Sequence, residues 1–398
     1  MKRSVRNITL TIVCGALIAA AGSCSLSQTY PVTVDGERFR AGLYILEQQY
    51  AASDAVSKIG EEQPDLDTSA EGFTYLDQTV EGKKFADWVN DRALELCREY
   101  VAVERLFDQY GLSLTADELA EINANVKSTW TEENMYAQYF YGVDIIGDYY
   151  ESFGVGEESY KQFQIESKKR SDLFDHLYGE GGELAATQDE INTALNSDYL
   201  AVNYFPYDLK NGDSAQSFAD RIAAGESYEE VYRDYAQALS DEEAAEAAAN
   251  AESTDTADTQ DETEEGITDD SAEDAASGTA DDTSGTVVEA AEKDSLIQII
   301  TKSSNSPSEE FINQVSAMNN GDVKVVTVTD DSGTTHVYVV QKLDILSLPE
   351  KTESAVNSVR SSLKTDEYEE MLRSAGAGYT LTTDGSINLY TVEKLINK

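Results

Sequence analysis

The sequence is short of the side chains that most metal and catalytic centres need. It has two histidines, His176 and His336, in 398 residues. Neither stands beside a pair of cysteines, which argues against a zinc site, and no metal ligands are assigned. Three cysteines are present, Cys14, Cys24 and Cys97. The first two lie in an N-terminal apolar segment, so Cys97 alone stands in the folded body and no disulfide framework can form there. Cys97 falls on a helical apolar pattern and is expected to pack as a buried thiol. Basic residues are scarce too: 29 Lys and Arg against 76 Asp and Glu, a net charge of -47. That balance excludes nucleic acid as a partner, because phosphate contacts need a basic surface. No Gly-x-Ser-x-Gly, phosphate-binding loop or dinucleotide fingerprint occurs, so those enzyme classes have no support and no cofactor is expected.

What is present divides unevenly along the chain. Hydrophobic residues make up 40% of it, enough for a core in two or three domains. Residues 241–292 hold 19 of the acids and no Lys or Arg, so they carry -19 and the remainder -28. Residues 240–292 have almost no large apolar side chain before Val287. Such a segment cannot bury enough surface to offset its ordering entropy, so a disordered acidic insert is expected. Its acids keep no EF-hand register, so specific calcium binding is not assigned.

The N-terminus opens with Lys2, Arg3 and Arg6, followed by an apolar run over residues 8–21. The run has the length of a signal-peptide core and is short for a membrane span. It ends in Ala21-Gly22-Ser23-Cys24, which resembles a bacterial lipobox, with Ala21 where Leu is usual. The resemblance implies cleavage before Cys24 and diacylglyceryl attachment to its sulfur. An ordinary secretory signal or an uncleaved anchor is the alternative. Each of the three places the mature chain outside the cytoplasm, and a lipid on Cys24 would hold it at the membrane by burying methylenes.

From residue 32 the pattern reads as a short strand and turn, Val34-Asp35-Gly36-Glu37, then a helix over 38–52 with Phe39, Leu43, Leu46 and Tyr50 on one stripe. Residues 53–80 read as a surface loop. A long helix spans 83–110, with Phe85, Trp88, Val89, Leu96, Cys97 and Val103 on its apolar face. Thr115 with Glu118 forms a capping-box pattern at the next helix start. The stretch 130–150 is dense in Tyr, and a further helix covers 159–178. Near the end of that helix His176 needs only a structural role, since the helix dipole favours positive charge there. Residues 199–207 alternate as a strand, 214–224 and 228–239 read as helices, and 296–301 as a short strand. Phe311, Ile312, Val315 and Met318 then share a helix face. Gly321-Asp322 ends it, and two apolar strands follow around Ser332-Gly333. Residues 352–375 read as a helix, and 379–381 and 387–389 as short extended pieces.

The run from Phe311 through Gly321-Asp322 to Gly333-Thr334-Thr335-His336-Val337 resembles the C-terminal half of a parvulin-type peptidyl-prolyl isomerase domain. The opening Val34-Asp35-Gly36-Glu37, the helix start at Gly111-Leu112-Ser113-Leu114-Thr115 and the run Ala186-Thr187-Gln188-Asp189-Glu190-Ile191 resemble the N-terminal chaperone domain of PrsA- and SurA-type extracytoplasmic foldases. The implied fold is α+β: a mainly α-helical chaperone domain with an inserted small parvulin-like α/β domain and the acidic insert. The implied boundaries are 1–24 for the signal peptide, 25–196 for the helical domain and 197–348 for the parvulin-like domain, interrupted over 240–292. Residues 349–398 would return to complete the helical domain.

A parvulin site lowers the barrier of about 20 kcal/mol to X-Pro rotation with an apolar pocket and a polar network. The resemblance puts His336 at a catalytic position and Phe311 and Met318 at a substrate pocket. Core packing is the plainer reading for Phe311 and Met318, and a solvent-facing strand position for His336. Asn203 occupies the place of the family's first active-site His, so isomerase activity would be weak or lost. The expected partners are unfolded, newly secreted polypeptides, and the expected place is the extracytoplasmic face of the bacterial cell membrane. Two alternatives stand beside this: a competent isomerase rebuilt around His336, and a non-enzymatic envelope lipoprotein that holds one specific partner.

Overall fold

The computed structural model describes residues 29–70, 72–254, 296–330 and 332–393. Cys24, and residues 255–292 of the acidic insert, lie outside them. The fold is α+β and mainly helical. The described residues divide into two compact units, one formed by Thr187–Val359 and the other by residues 29–186 together with 360–393. The division falls one helix earlier than residue 197.

The larger unit begins with strands β1 (Val32–Val34) and β2 (Glu37–Phe39), paired antiparallel with Val32 opposite Phe39. Asp35 and Gly36 turn between them with φ of 49° and 92°. Positive φ at both central residues is what a tight two-residue hairpin requires, and Asp-Gly supplies it. Helix α1 (Ala41–Glu62) follows and buries Leu43, Tyr44, Ile45 and Ile59. It runs ten residues past the expected end at 52, because Ala55, Val56 and Ile59 continue its buried stripe. Tyr50 is off that stripe and 59% exposed. The rest of the expected loop holds a 3-10 turn at Tyr75–Asp77 and the short hairpin β3 (Thr79–Val80) and β4 (Lys83–Lys84).

Helix α2 (Phe85–Gln109) packs along α1 through Trp88, Val89, Ala93 and Leu96, with Cys97 fully buried beside them. Helix α3 (Ala116–Thr131) starts at a complete capping box. The Thr115 hydroxyl accepts from Glu118 N at 3.2 Å, and the Glu118 carboxylate accepts from Thr115 N at 2.8 Å. Two short helices, α4 (Met135–Tyr141) and α5 (Ile146–Ser152), lead to α6 (Glu157–Tyr178).

The smaller unit opens with α7 (Gln188–Asp198), capped by Thr187 and Glu190 in the same reciprocal way. Then come β5 (Tyr199–Pro206), α8 (Ala215–Ala223), α9 (Tyr228–Thr254), β6 (Ile297–Thr301), α10 (Glu309–Ser316), β7 (Val323–Thr329) and β8 (Thr335–Leu343). Helix α9 continues past the expected end at Leu239. Residues 242–251 are mostly Ala and Glu, strong helix formers, which favour the helix even without burial. The four strands form an antiparallel sheet in the order β6-β5-β8-β7. Successive strand side chains point to opposite faces, so the sheet has two cores. Phe205 and Val339 face α8 and α9, meeting Phe218, Ile222, Tyr228, Val231 and Tyr235. Val202, Val326, Val328 and Val340 face α10, meeting Phe311, Ile312 and Val315. Each fully buried side chain of this kind contributes roughly 1.5–3 kcal/mol.

Helix α11 (Pro349–Ala377) belongs to the larger unit from Arg360 onward. There the Tyr368 hydroxyl donates to the Arg170 carbonyl at 2.7 Å, and Leu372 is fully buried against Val103, Leu173 and Leu177. Strand β9 (Leu381–Thr383) pairs antiparallel with β1 and makes the sheet order β2-β1-β9. Residues 387–389 lie in a 3-10 turn, Gly385–Leu389, and not in the expected extended form. Gln48 Nε2 on α1 then donates to the Tyr390 carbonyl at 2.5 Å, fixing the last turn to the first helix.

Candidate functional site

The expected isomerase residues all lie in the smaller unit. Ser308 caps α10 by accepting from Phe311 N at 3.1 Å, which sets the register of that helix against the sheet. Phe311 is then fully buried and Met318 is 5% exposed. Both are core residues of the α10 face. The half-buried aromatics on this face are Tyr204 and Tyr338, whose rings lie 5.0 and 5.1 Å from Phe311 and 5.9 Å from each other. Burial raises both phenols above their ordinary pKa, with each other's charge a further cause for Tyr204.

His336 is opposite Val328 on the β7–β8 hairpin, near its turn. It shares a face with Tyr338, one step closer to the hairpin end. Its side chain is 46% exposed, and Nε2 lies 3.1 Å from Asp330 Oδ2. Asp330 is the hub of the turn. It accepts from Ser332 N and Thr334 N, both at 2.9 Å, and from the Ser332 hydroxyl at 2.6 Å. The Ser332 hydroxyl and then His336 hold the Asp330 carboxyl well below the usual range. This geometry ties His336 to the turn.

Asn203 is paired with Gln341, an odd number of residues from His336 on the same strand. The two therefore point to opposite faces of the sheet. Asn203 Nδ2 donates to Gln341 Oε1 at 3.1 Å, while its buried Oδ1 has no partner among the described residues. The strand residue that does share the face of His336 and Phe311 is Tyr204. Motif order matches Asn203 to the missing His; alternation puts Leu200, Val202 and Tyr204 on one face of β5, and the pairing of Asn203 with Gln341 shows that this is the face of His336.

A second candidate surface lies on α4 in the larger unit. The chain is pinched at its base, where Glu133 bridges to Ile145 and Asn134 N donates to the Asp144 carbonyl at 2.9 Å. The Asn134 side chain caps α4 by accepting from Tyr136 N and Ala137 N, and Gly142, at φ 68°, closes it in the left-handed region. Within these caps only Ala137 is buried. Met135, Tyr136 and Tyr139 are 84%, 74% and 83% exposed, and Phe140 and Tyr141 stand partly exposed beside them. Tyr139 packs edge-on to Phe140 at 4.9 Å, and Tyr141 stacks on Tyr149 at 4.2 Å. Tyr149 passes the contact to Phe153, which is buried in the main core of the unit. The result is a short helix, capped at both ends, that offers an apolar and aromatic face to solvent. The density of Tyr over 130–150 was visible in the sequence, but which rings face outward was not.

Among the described residues no helix is long and apolar enough to cross a membrane, and no group of three or more His, Cys, Asp or Glu is placed to hold a metal ion. No protein-family model matches the chain, and no curated protein matches it. Among solved structures it is similar to the foldase protein PrsA from Streptococcus pneumoniae. The TM-score is 0.32 at 13% identity, over 81% of this chain and 98% of that one.

Proposed function

We propose that the protein is a membrane-tethered extracytoplasmic folding factor that holds unfolded, newly secreted polypeptides. The observation that carries this reading is the exposed face of α4. Soluble proteins seldom leave so many neighbouring apolar side chains in water unless they bind something there. Tyr and Met are suited to clients without a fixed sequence, since Met adapts its shape and Tyr offers both a ring and a hydroxyl. The tether would be a lipid on Cys24, and the place the outer face of the cell membrane. The sheet of the smaller unit acts as a binding scaffold in this reading. With Asn203 and His336 on opposite faces, these two cannot act together on one amide, so in this reading isomerase activity is weak or lost.

The test is suppression of aggregation of a chemically unfolded client by the body from Ser25 onward. The wild type should suppress it at near-equimolar amounts. A Met135→Ser, Tyr136→Ser, Tyr139→Ser triple variant should lose most of that effect while keeping its far-ultraviolet circular dichroism. Equal suppression by both, or none by either, refutes the reading. Capture of one stoichiometric partner in place of many clients would favour an envelope lipoprotein with a dedicated partner.

A further inference from the structure

Away from α4, the larger unit contains a cleft of about 420 Å³ between α1, α2, α6 and α11. Its lining includes six carboxyls, Glu47, Asp54, Glu99, Glu166, Asp175 and Glu369, against two guanidiniums, Arg92 and Arg170. The guanidiniums are already engaged. Arg92 holds Glu99 at 2.5 Å, Asp54 at 3.4 Å and Glu95 at 3.5 Å. Arg170 holds Glu166 at 3.0 Å and Glu99 at 3.6 Å. Glu47 is left over. It is 4% exposed, it lines the cleft, and among the described residues it makes no hydrogen bond or ion pair. Glu99 Oε2, also buried there, accepts no hydrogen bond and meets only the Arg170 guanidinium, at 3.6 Å. The remaining wall is apolar and aromatic: Tyr50, Leu96, Phe163, Phe174 and Tyr368.

A buried carboxyl without a partner, as Glu47 is, is costly, and a cation that reaches it relieves that cost. Among the described residues no group of three or more carboxyl, His or Cys side chains is placed to hold a metal ion. Aromatic walls around a negative floor suit an organic cation on an apolar stem, whose methylenes pack on the rings while its head meets the carboxylates. We propose that this cleft takes a Lys or Arg side chain of a bound polypeptide, with Glu47 receiving the charge and Tyr50, Phe163 and Phe174 covering the stem. The proposal rests on the polypeptide-binding reading only in taking the cation to be carried by a peptide.

The groups facing Glu47 are Arg92, Cys97, Glu99 and Tyr100 from α2, and Glu166 and Arg170 from α6. Burial lifts the Glu47 carboxyl well above the usual carboxylate range, the charges of Glu166 and Glu99 add to this, and Arg170 and Arg92 oppose it. The carboxyl therefore holds a proton until a cation reaches it. When a cationic head arrives, Glu47 ionises and its proton leaves to solvent, so one positive charge replaces another. Binding is then accompanied by proton release.

The experiment is isothermal titration of the full soluble body with three short capped peptides, alike except for a central Lys, Arg or norleucine. Each is measured in two buffers of different ionisation heat at neutral pH. The cationic peptides should bind at least tenfold more tightly than the norleucine peptide, with a buffer-dependent heat that reports proton release. Glu47→Gln keeps a neutral group of the same shape, so the unit should fold. It should lose at least fivefold in affinity for the cationic peptides, and the buffer dependence should vanish. Tyr50→Ala, at an exposed position, should weaken Lys binding severalfold and leave proton release intact. Equal affinity for norleucine and Lys overturns the proposal. So does tight Lys binding that Glu47→Gln leaves unchanged, which would place the cation elsewhere on this acidic surface. No binding by any of the three peptides overturns it as well. In each of these cases suppression of aggregation through α4 is judged separately by its own triple variant.

Discussion

Replacing Arg170 with Met tests the charge cluster under the cleft. Arg170 holds Glu166 at 3.0 Å and Glu99 at 3.6 Å, and both carboxylates are buried. Met keeps much of the stem and removes the guanidinium. Breaking a buried ion pair from one side costs about 3–5 kcal/mol, because the remaining charge is stranded in the interior. Arg170 has 27% of its side chain exposed. Water that reaches the site offsets part of the loss, so the lower end applies, about 3 kcal/mol. In a unit of this size that lowers the thermal midpoint by roughly 6–12 °C.

The loss should also depend on pH, with a definite sign. Burial raises both Glu47 and Glu166 above the ordinary 4.5, and Arg170 opposes the rise in each. A folded state that binds more protons than the unfolded chain is favoured below pH 4.5 and loses that advantage as pH climbs through the raised values. Without Arg170 both carboxyls rise further, so the variant loses stability with pH more steeply than the wild type. The deficit should be small near about pH 5 and still growing as pH passes about 8, the raised value of Glu47. Urea unfolding followed by tryptophan fluorescence reads it directly, since Trp88 and Trp130 both lie in the larger unit. A variant within about 1 kcal/mol of the wild type at the higher pH, or a deficit that shrinks as pH rises, would refute the reasoning.

Two further substitutions probe packing and the sheet face. A Cβ on Gly42 would lie 2.7 Å from Ser159 Oγ, 2.9 Å from Ser159 Cβ and 3.2 Å from the Gly154 carbonyl. Gly42→Ala gains up to about 1 kcal/mol of helix propensity but overpacks at a cost of about 1–3, so it should lower the thermal midpoint, and adding Ser159→Gly should restore much of the loss. In the smaller unit Phe311→Ala should cost about 3–5 kcal/mol in urea unfolding, because Phe311 is fully buried. His336→Ala, at the hairpin turn, should leave cis-to-trans conversion of an X-Pro peptide at the wild-type rate, itself near the uncatalysed tens of seconds. A rate that exceeds the uncatalysed one and falls in the variant would make His336 catalytic after all.

Local chemistry was legible where it is decided within a few residues. The capping boxes at Thr115 and Thr187, the Asp35-Gly36 turn and the alternation of β7 and β8 are all fixed by neighbours in sequence, and the structure has each in place. Helix ends were misread where composition and burial disagree. Polar residues in 53–62 suggested a loop, yet Ala55, Val56 and Ile59 keep α1 packed to Glu62. The charge cluster left a trace that composition hides: Glu166 and Arg170 occupy the same helical stripe as Leu173 and Leu177, where a charge must find a partner inside. The sheet face left none. Alternation says that Tyr204 and Asn203 point opposite ways, and likewise His336 and Val337, but it cannot say which side of β5 matches which side of β8. Only the pairing of Asn203 with Gln341 decides that. A one-residue change of register would have put Asn203 beside the His336 face and left a polar pair where the protein has Tyr204, Phe311 and Tyr338. The chemistry open to this sheet thus turns on register, a long-range property of the packed strands that no local motif carries.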